Sequence, residues 1–334
     1  MEFLTSLSLP WLLTVYVIAA AFMTFFSIKA ANYVDWLDKK TTLSGAFIGG
    51  IMLSAITSLP ELFTSLSSTV FQHQPQLALG NILGSDLFNI AALATLILLW
   101  AKSFSKANIA KGHFIVTLTV IAAYVTVALS WLGIIPDWNV SLTSIVILVL
   151  YGLSIKYLAG EESETSEDAD DIKLSVKQIV FRLVCVSIGI VAFSIVVSYM
   201  TEHVAEKLHL GQGFAGALFM GVATSLPELS STTVLFKKRN YDIAVGNIVG
   251  SNIFNFTILS LVDVMAFTQS VYNFADPKNV LLILLGILSS LALVVILKTK
   301  KTAPKVISSV AILLSYLAFL ALPDNALSWI PFLQ

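Results

Sequence analysis

Long apolar runs recur along the whole chain, and they constrain its fold more than any other feature of the sequence. Runs of about 18 or more apolar residues are long enough to cross the hydrocarbon core of a bilayer. Only 12% of the residues are charged, whereas a soluble domain carries roughly 25%. The sequence therefore predicts an all-α membrane protein with ten transmembrane helices, at 9–32, 43–70, 77–100, 114–134, 140–159, 178–200, 212–236, 243–267, 279–297 and 306–322.

The basic residues are distributed unevenly among the connections. With ten spans, the connections after spans 1, 3, 5, 7 and 9 share one face, and all but Lys207 and Lys278 of the 19 basic residues belong to that face. Cytoplasmic loops carry such an excess of Lys and Arg. We therefore expect this face to be cytoplasmic and both termini to be extracytoplasmic, in a multi-pass protein of the plasma membrane.

An acidic stretch at 161–171 separates the first five spans from the last five. Such a charge run is typical of a solvated linker, and a Ca²⁺ sensor is the alternative. The expected organisation is a first five-helix repeat at 1–160, an acidic cytoplasmic linker at 161–175 and a second five-helix repeat at 176–334. The net charge of −1 gives nucleic-acid binding no electrostatic support.

Two motifs occur twice. Thr-Ser-Leu-Pro-Glu lies in span 2 at 57–61 and in span 7 at 224–228. Span 3 contains Gly-Asn-Ile-Leu-Gly-Ser-Asp-Leu-Phe-Asn at 80–89, and span 8 contains Gly-Asn-Ile-Val-Gly-Ser-Asn-Ile-Phe-Asn at 246–255. Because each half has an odd number of spans, the two copies cross the membrane in opposite directions. This predicts two inverted repeats, the architecture of secondary transporters, with a site near the bilayer midplane.

Each copy of the first motif places a carboxylate deep in a span. Glu61 and Glu228 each directly follow a proline, and proline breaks a helix because it lacks an N–H group. Irregular backbone at this depth survives only where it lines a cavity or packs in protein. A buried carboxylate in a membrane is costly and is functional by default.

The second motif adds hydroxyl and amide oxygens to these carboxylates. Ser85 and Asn89 are four residues apart and share one helix face, as do Ser251 and Asn255. Ca²⁺ prefers six to eight such oxygen ligands, and the absence of Cys and His from the motifs argues against Zn²⁺ or Cu. For either serine alone, a hydrogen bond back to its own helix is an equally good interpretation.

These motifs resemble the alpha repeats of the Na⁺/Ca²⁺ exchanger family, within the cation/Ca²⁺ exchanger superfamily, and the resemblance covers essentially the whole chain. It implies a secondary active antiporter, not an enzyme, that exchanges Ca²⁺ for Na⁺ across the membrane without a cofactor or an obligate protein partner. Backbone carbonyls near Ser54 and Gly221 would complete the ion sites. The ligands that it implies are Thr57, Ser58, Glu61, Ser85, Asn89, Thr224, Ser225, Glu228, Ser251 and Asn255.

Two positions depart from the family pattern. Asp86 occupies a place that is more often Asn, and Asn255 occupies a place where several family members carry Asp. The first change either adds a carboxylate beside the site or faces a polar cavity, and the second removes a carboxylate from the centre. The ion stoichiometry, and a part for H⁺ or K⁺ in the coupling, stay open.

Three other functions are compatible with parts of this pattern. A Ca²⁺/H⁺ antiporter would use the same carboxylates, but the proton-coupled relatives place an additional Glu in the Gly-Asn motif, and neither copy here has one. A passive cation channel usually assembles identical subunits around an axis, whereas this chain supplies both halves of its site. An intramembrane hydrolase needs a nucleophile–base pair or a metal-bound water, and no such motif lies at depth.

The distribution of basic residues makes the topology testable. We expect a cysteine placed at 71–76 to react with a membrane-impermeant thiol reagent added outside intact cells, and a cysteine placed at 237–239 to react only after permeabilisation. The opposite labelling pattern would overturn the assigned orientation.

Overall fold

The computed structural model describes residues 8–71, 75–136, 141–159, 172–207, 221–266, 271–272 and 276–322, and these residues are almost entirely helical. Most of the acidic linker predicted at 161–175 lies outside the described residues, which resume at 172. Nine segments of the described chain are long and apolar enough to cross a membrane. The predicted seventh span begins in the part that is not described.

The helices agree closely with the predicted spans. In the second half, span 7 consists of two described pieces on either side of Ser225. A short helix, Ala101–Phe104, follows span 3. The first five spans are Leu9–Lys40, Gly45–Val70, Pro75–Leu99, Lys111–Trp131 and Leu142–Ala159. The last five are Val176–Lys207, then Gly221–Thr224 with Leu226–Lys237, Tyr241–Ala266, Pro277–Lys298 and Thr302–Ala321.

Spans 1 and 6 are the exceptions, since both helices continue well past their predicted ends at 32 and 200. Each has 32 residues, which is about 48 Å of helix against a hydrocarbon core of about 30 Å. The predicted apolar runs end at 32 and 200, but the residues that extend the two helices, 33–40 and 201–207, contain no glycine or proline that would end them. The two long helices pack against each other, with the rings of Phe22 and Phe193 stacked at 4.9 Å.

Spans 2 and 7 break at the serine that precedes the Leu-Pro-Glu segment. Ser58 has φ −88° and ψ 7° and separates helices Ser54–Thr57 and Leu59–Leu66. Ser225 has φ −86° and ψ 3° at the equivalent point of span 7. Proline then occupies the first turn of the new helix, where its missing N–H group costs nothing. The predicted break is therefore confirmed, and it places each glutamate at the start of a half-helix.

Spans 3 and 8 form the most buried part of the molecule, and spans 1, 5, 6 and 10 lie at its periphery. Span 8 packs against a π-helical stretch of span 2, Ile48–Leu53, and such stretches are frequent at functional sites. The two backbones meet at Gly250 and Gly50, where a Cβ on Gly250 would overlap the carbonyl oxygen of Gly50. Glycine is thus required for the contact between the two repeats.

The connections after spans 1, 3 and 7 meet on one face, which carries most of the basic residues. Lys238 donates to Asp35 at 2.8 Å, and Tyr241 donates to Ser103 at 2.7 Å. On the other face, Asn279 donates to Gln76 at 3.3 Å. Span 2 therefore starts at the basic face and span 7 ends there. The two five-helix repeats are inverted relative to each other.

The glycine contact predicts a sharp difference between two conservative substitutions. Gly250→Ala should lower the midpoint of thermal unfolding in detergent, because the added methyl group meets backbone that cannot move aside, and overpacking costs about 1–3 kcal/mol. Gly152→Ala is the matched control, since nothing lies within 4 Å of the added Cβ. Equal midpoints for the two variants would show that spans 2 and 8 do not touch in this way.

Candidate cation-binding site

The structure brings together the ten residues predicted to bind ions. All ten lie in the broken spans 2 and 7 or in the central spans 3 and 8, and the exposed fraction of each is 0%. Within each repeat, the glutamate occupies the first turn of the half-helix that follows the break. The free N–H groups of a helix start give this end a partial positive charge, which favours a carboxylate there.

Serines from the breaks connect the two repeats. Ser58 donates to Oε1 of Glu228 at 3.0 Å, and Ser225 donates to Oε1 of Glu61 at 3.1 Å. Each repeat therefore supplies a hydroxyl group to the carboxylate of the other. Because these two bonds cross between the repeats, they join Glu61 and Glu228 into one buried cluster.

The serines of spans 3 and 8 complete the same pattern within each repeat. Ser85 donates to Oε1 of Glu61 at 3.3 Å, and Ser251 donates to Oε1 of Glu228 at 3.3 Å. Ser85 also approaches the carbonyl oxygen of Gly221 at 3.2 Å. Of the two interpretations left open for these serines, the structure therefore has both side chains contacting the glutamates of the broken spans.

Two asparagines that the sequence analysis did not single out hold the threonines. Thr57 donates to Oδ1 of Asn247 at 3.2 Å, and Thr224 donates to Oδ1 of Asn81 at 3.3 Å. The signal for them was present, since each is the Asn of a Gly-Asn pair that begins the repeated second motif. Each side-chain nitrogen donates to hydroxyl groups of the broken span in its own repeat.

Several oxygens in this centre accept no hydrogen bond from any residue that the structure describes. They include one carboxylate oxygen of each glutamate, Oε2 of Glu61 and of Glu228, and the amide oxygens of Asn89 and Asn255. Buried polar groups normally have a partner. None of the ion pairs among the described residues includes either glutamate. The free oxygens thus offer anionic and neutral ligands to a hard cation.

The amide nitrogens at the centre are occupied. Asn255 donates to Oδ1 of Asp86 at 2.8 Å, and Asn89 donates to Oδ1 of Asn252 at 3.1 Å. Tyr124 of span 4 lies beside Asp86. Asp86 and Asn252 were not among the predicted ligands, although Asp86 was noted as a departure from the family pattern. Both lie within the centre, with exposed fractions of 0% and 1%.

The donor set in this part of the molecule consists of oxygen atoms, which are the ligands of hard cations. Among the described residues, no three His, Cys, Asp or Glu side chains come together in a group that could hold a metal ion. The centre instead combines carboxylate, hydroxyl, amide and backbone oxygens, which suit alkali and alkaline-earth cations.

Comparison with known proteins places this geometry in a family. The model of the family described as "Sodium/calcium exchanger protein" matches residues 8–159 and 178–323. The chain belongs to this sodium/calcium exchanger family. An uncharacterized membrane protein of Methanocaldococcus jannaschii is 27% identical to this exchanger-family chain over 214 residues, which are 63% of this chain and 67% of that protein.

Two solved structures share the fold. The sodium-calcium exchanger NCX_Mj, soaked with Na⁺ and Sr²⁺, has a TM-score of 0.70 at 21% identity over 95% of this chain and 100% of that chain. The H⁺/Ca²⁺ exchanger CAX has a TM-score of 0.72 at 16% identity over 99% of this chain and 90% of that chain. At these identities the likeness establishes the two-repeat helical fold of this family member.

The free carboxylate oxygens predict how the protein responds to loss of one charge. Glu61→Gln keeps the shape of the side chain but removes one carboxylate from a buried cluster of like charges, so the cation-free variant should unfold at a higher temperature than the cation-free wild type. Added Ca²⁺ should stabilise the wild type, by about 2.7 kcal/mol at a 100-fold excess over the dissociation constant, and the variant much less. Thermal unfolding with chelator and with Ca²⁺ measures both effects.

Asp276→Asn is the control for this experiment, because Asp276 caps the start of span 9 and is no part of the cluster. It should respond to Ca²⁺ as the wild type does. A Glu61→Gln protein with the full Ca²⁺ response would remove Glu61 from the site.

Proposed function

We propose that this protein is a secondary active antiporter that exchanges Ca²⁺ for Na⁺ across the membrane by alternating access. The observation that carries this proposal is the convergence of Glu61 and Glu228. They come from opposite repeats, are fully buried and each keep one oxygen free. The shared family and the ions named for the sodium-calcium exchanger NCX_Mj support the choice of Na⁺ and Ca²⁺.

Charge balance explains why the ions would compete. Glu61 and Glu228, the only carboxylates among the predicted ligands, supply two negative charges, which one Ca²⁺ or two Na⁺ can neutralise; the carboxylate of Asp86 is bonded to Asn255 and is not included in this balance. Holding one Ca²⁺ and two Na⁺ together would leave excess positive charge in a medium of low dielectric constant, and an empty site would leave two buried carboxylates facing each other. If the protein switches between its inward-open and outward-open states only when bound cations neutralise the site, exchange is obligatory.

The inverted repeats supply a means of alternating access. Transporters of this kind rock one repeat or bundle against the other around a fixed site near the midplane. Here the cross-repeat bonds from Ser58 to Glu228 and from Ser225 to Glu61 are equivalent. A motion that breaks one of these bonds and opens the site to one face can therefore have an equivalent motion that breaks the other bond and opens the site to the opposite face.

Exchange of Ca²⁺ for H⁺ is the second candidate, because the H⁺/Ca²⁺ exchanger CAX shares the fold. Buried carboxylates bind protons as well as cations. The resemblance noted above favours Na⁺, since neither Gly-Asn motif of this chain contains the additional Glu of the proton-coupled relatives. We place the protein in the plasma membrane with its basic face in the cytoplasm.

Ca²⁺ uptake into proteoliposomes under imposed gradients tests the proposal. An outward Na⁺ gradient should drive uptake, whereas a pH gradient of equal size, without Na⁺, should not. Glu228→Gln should abolish Na⁺-driven uptake, and Asp276→Asn should retain it. Uptake that follows the pH gradient would establish the proton-coupled alternative, and uptake that needs neither gradient would indicate a channel.

A further inference from the structure

The residue that follows the serine of each Gly-Ser pair contacts the opposite repeat. This residue is Asp86 in span 3 and Asn252 in span 8. Oδ1 of Asp86 accepts a hydrogen bond from the side-chain nitrogen of Asn255 at 2.8 Å, and Oδ1 of Asn252 accepts one from the side-chain nitrogen of Asn89 at 3.1 Å. The two contacts are equivalent in the two repeats, although one acceptor is a carboxylate and the other an amide.

The chemistry of these partners decides which way each amide points. A side-chain amide has a donor end and an acceptor end. A carboxylate oxygen is an acceptor, so Asn255 must turn its nitrogen towards Asp86. The oxygen of Asn255 then points away from Asp86, and it accepts no hydrogen bond from the described residues. Asp86 thus leaves this oxygen free for a cation.

Asn252 is uncharged, but it orients the amide of Asn89 in the same way. Its own nitrogen donates to the backbone carbonyl of Asp86 at 3.1 Å, which leaves its oxygen to accept from Asn89. The oxygen of Asn89 is again without a donor among the described residues. The backbone carbonyl is present whatever side chain occupies position 86, so a change of the Asp86 side chain removes the contact with Asn255 and leaves the bond from Asn252 in place.

We propose that Asp86 is a positioning residue of the ion site, which holds the side-chain oxygen of Asn255 towards the transported cations; Asn252 does the same for Asn89. The proposal rests on the proposed function. It adds a residue that would affect ion affinity by contacting a ligand residue and not the ion itself. Such partners orient the groups that contact a metal, and their loss typically costs about 10- to 100-fold in metal affinity.

The proposal also accounts for the two departures from the family pattern together. Asp86 and Asn255 form one carboxylate–amide pair across the repeat interface. An Asn at position 86 with an Asp at position 255 would form the same kind of pair with the two residue types exchanged. Asn255→Asp alone would place two carboxylates where one hydrogen bond now is, at 2.8 Å. Combining it with Asp86→Asn would restore the bond, with donor and acceptor exchanged, and would move the carboxylate into contact with the ions.

Cation-dependent thermal unfolding of the purified full chain tests this without relying on transport. The quantity measured is the Ca²⁺ concentration that gives half of the maximal stabilisation. Asp86→Ala should raise it about 10- to 100-fold, whereas Asp86→Asn, which keeps an acceptor oxygen, should stay near the wild-type value. Asp263→Asn is the control, because it alters a different buried carboxylate, in span 8 about two helical turns beyond Asn255, which accepts a hydrogen bond from Ser144 at 2.7 Å.

The exchanged pair gives a second, independent comparison. Asn255→Asp should weaken Ca²⁺ binding, and the double variant Asp86→Asn/Asn255→Asp should recover it. This comparison decides the matter even if Asp86→Ala fails to fold. A double variant no better than Asn255→Asp would overturn the proposal.

The remaining outcomes separate this proposal from the proposed function. If Asp86→Asn is as damaging as Asp86→Ala, the charge of Asp86 is itself a ligand, and the positioning role is wrong. If Asp86→Ala binds Ca²⁺ as the wild type does, the positioning role is wrong while the exchange function stands. If no cation stabilises the wild type, the exchange function falls, and this inference falls with it.

Discussion

The burial of two carboxylates between two inverted repeats is the constraint on which the rest of the structure depends. Glu61 and Glu228 lie at the centre of a membrane domain, with hydroxyl groups as their hydrogen-bond donors and no basic side chain paired with them among the described residues. A carboxylate at membrane depth is costly unless something compensates its charge. The half-helix starts compensate part of it, and we attribute the remainder to transported cations.

The packing of the molecule serves this centre. Proline and serine break spans 2 and 7 so that each glutamate begins a helix, and glycines bring the backbones of spans 2 and 8 into contact. The long spans 1 and 6 pack together at the periphery, away from the cluster. The duplicated hydrogen bonds show that each repeat completes the site of the other, which one repeat alone cannot do.

Much of this could be predicted from the sequence, because the strongest signals were local and occurred twice. Apolar runs gave the spans, and the repeated Thr-Ser-Leu-Pro-Glu segment gave the breaks and the glutamates. The ends of spans 1 and 6 were wrong, since hydropathy reports contact with lipid and not the end of a helix. The roles of Asn81, Asn247 and Asn252 depend on contacts between distant residues, such as Thr57 with Asn247, and spacing along one helix does not reveal them.

Competition between Na⁺ and Ca²⁺ at equilibrium tests the central claim most directly, because it asks whether both ions use the same two carboxylates. Radiolabelled Ca²⁺ bound to the purified protein would be titrated with Na⁺ at constant ionic strength. The account predicts that Na⁺ displaces all of the bound Ca²⁺, with a Hill coefficient above one, since more than one Na⁺ replaces each Ca²⁺. Bound Ca²⁺ that Na⁺ does not displace would contradict it.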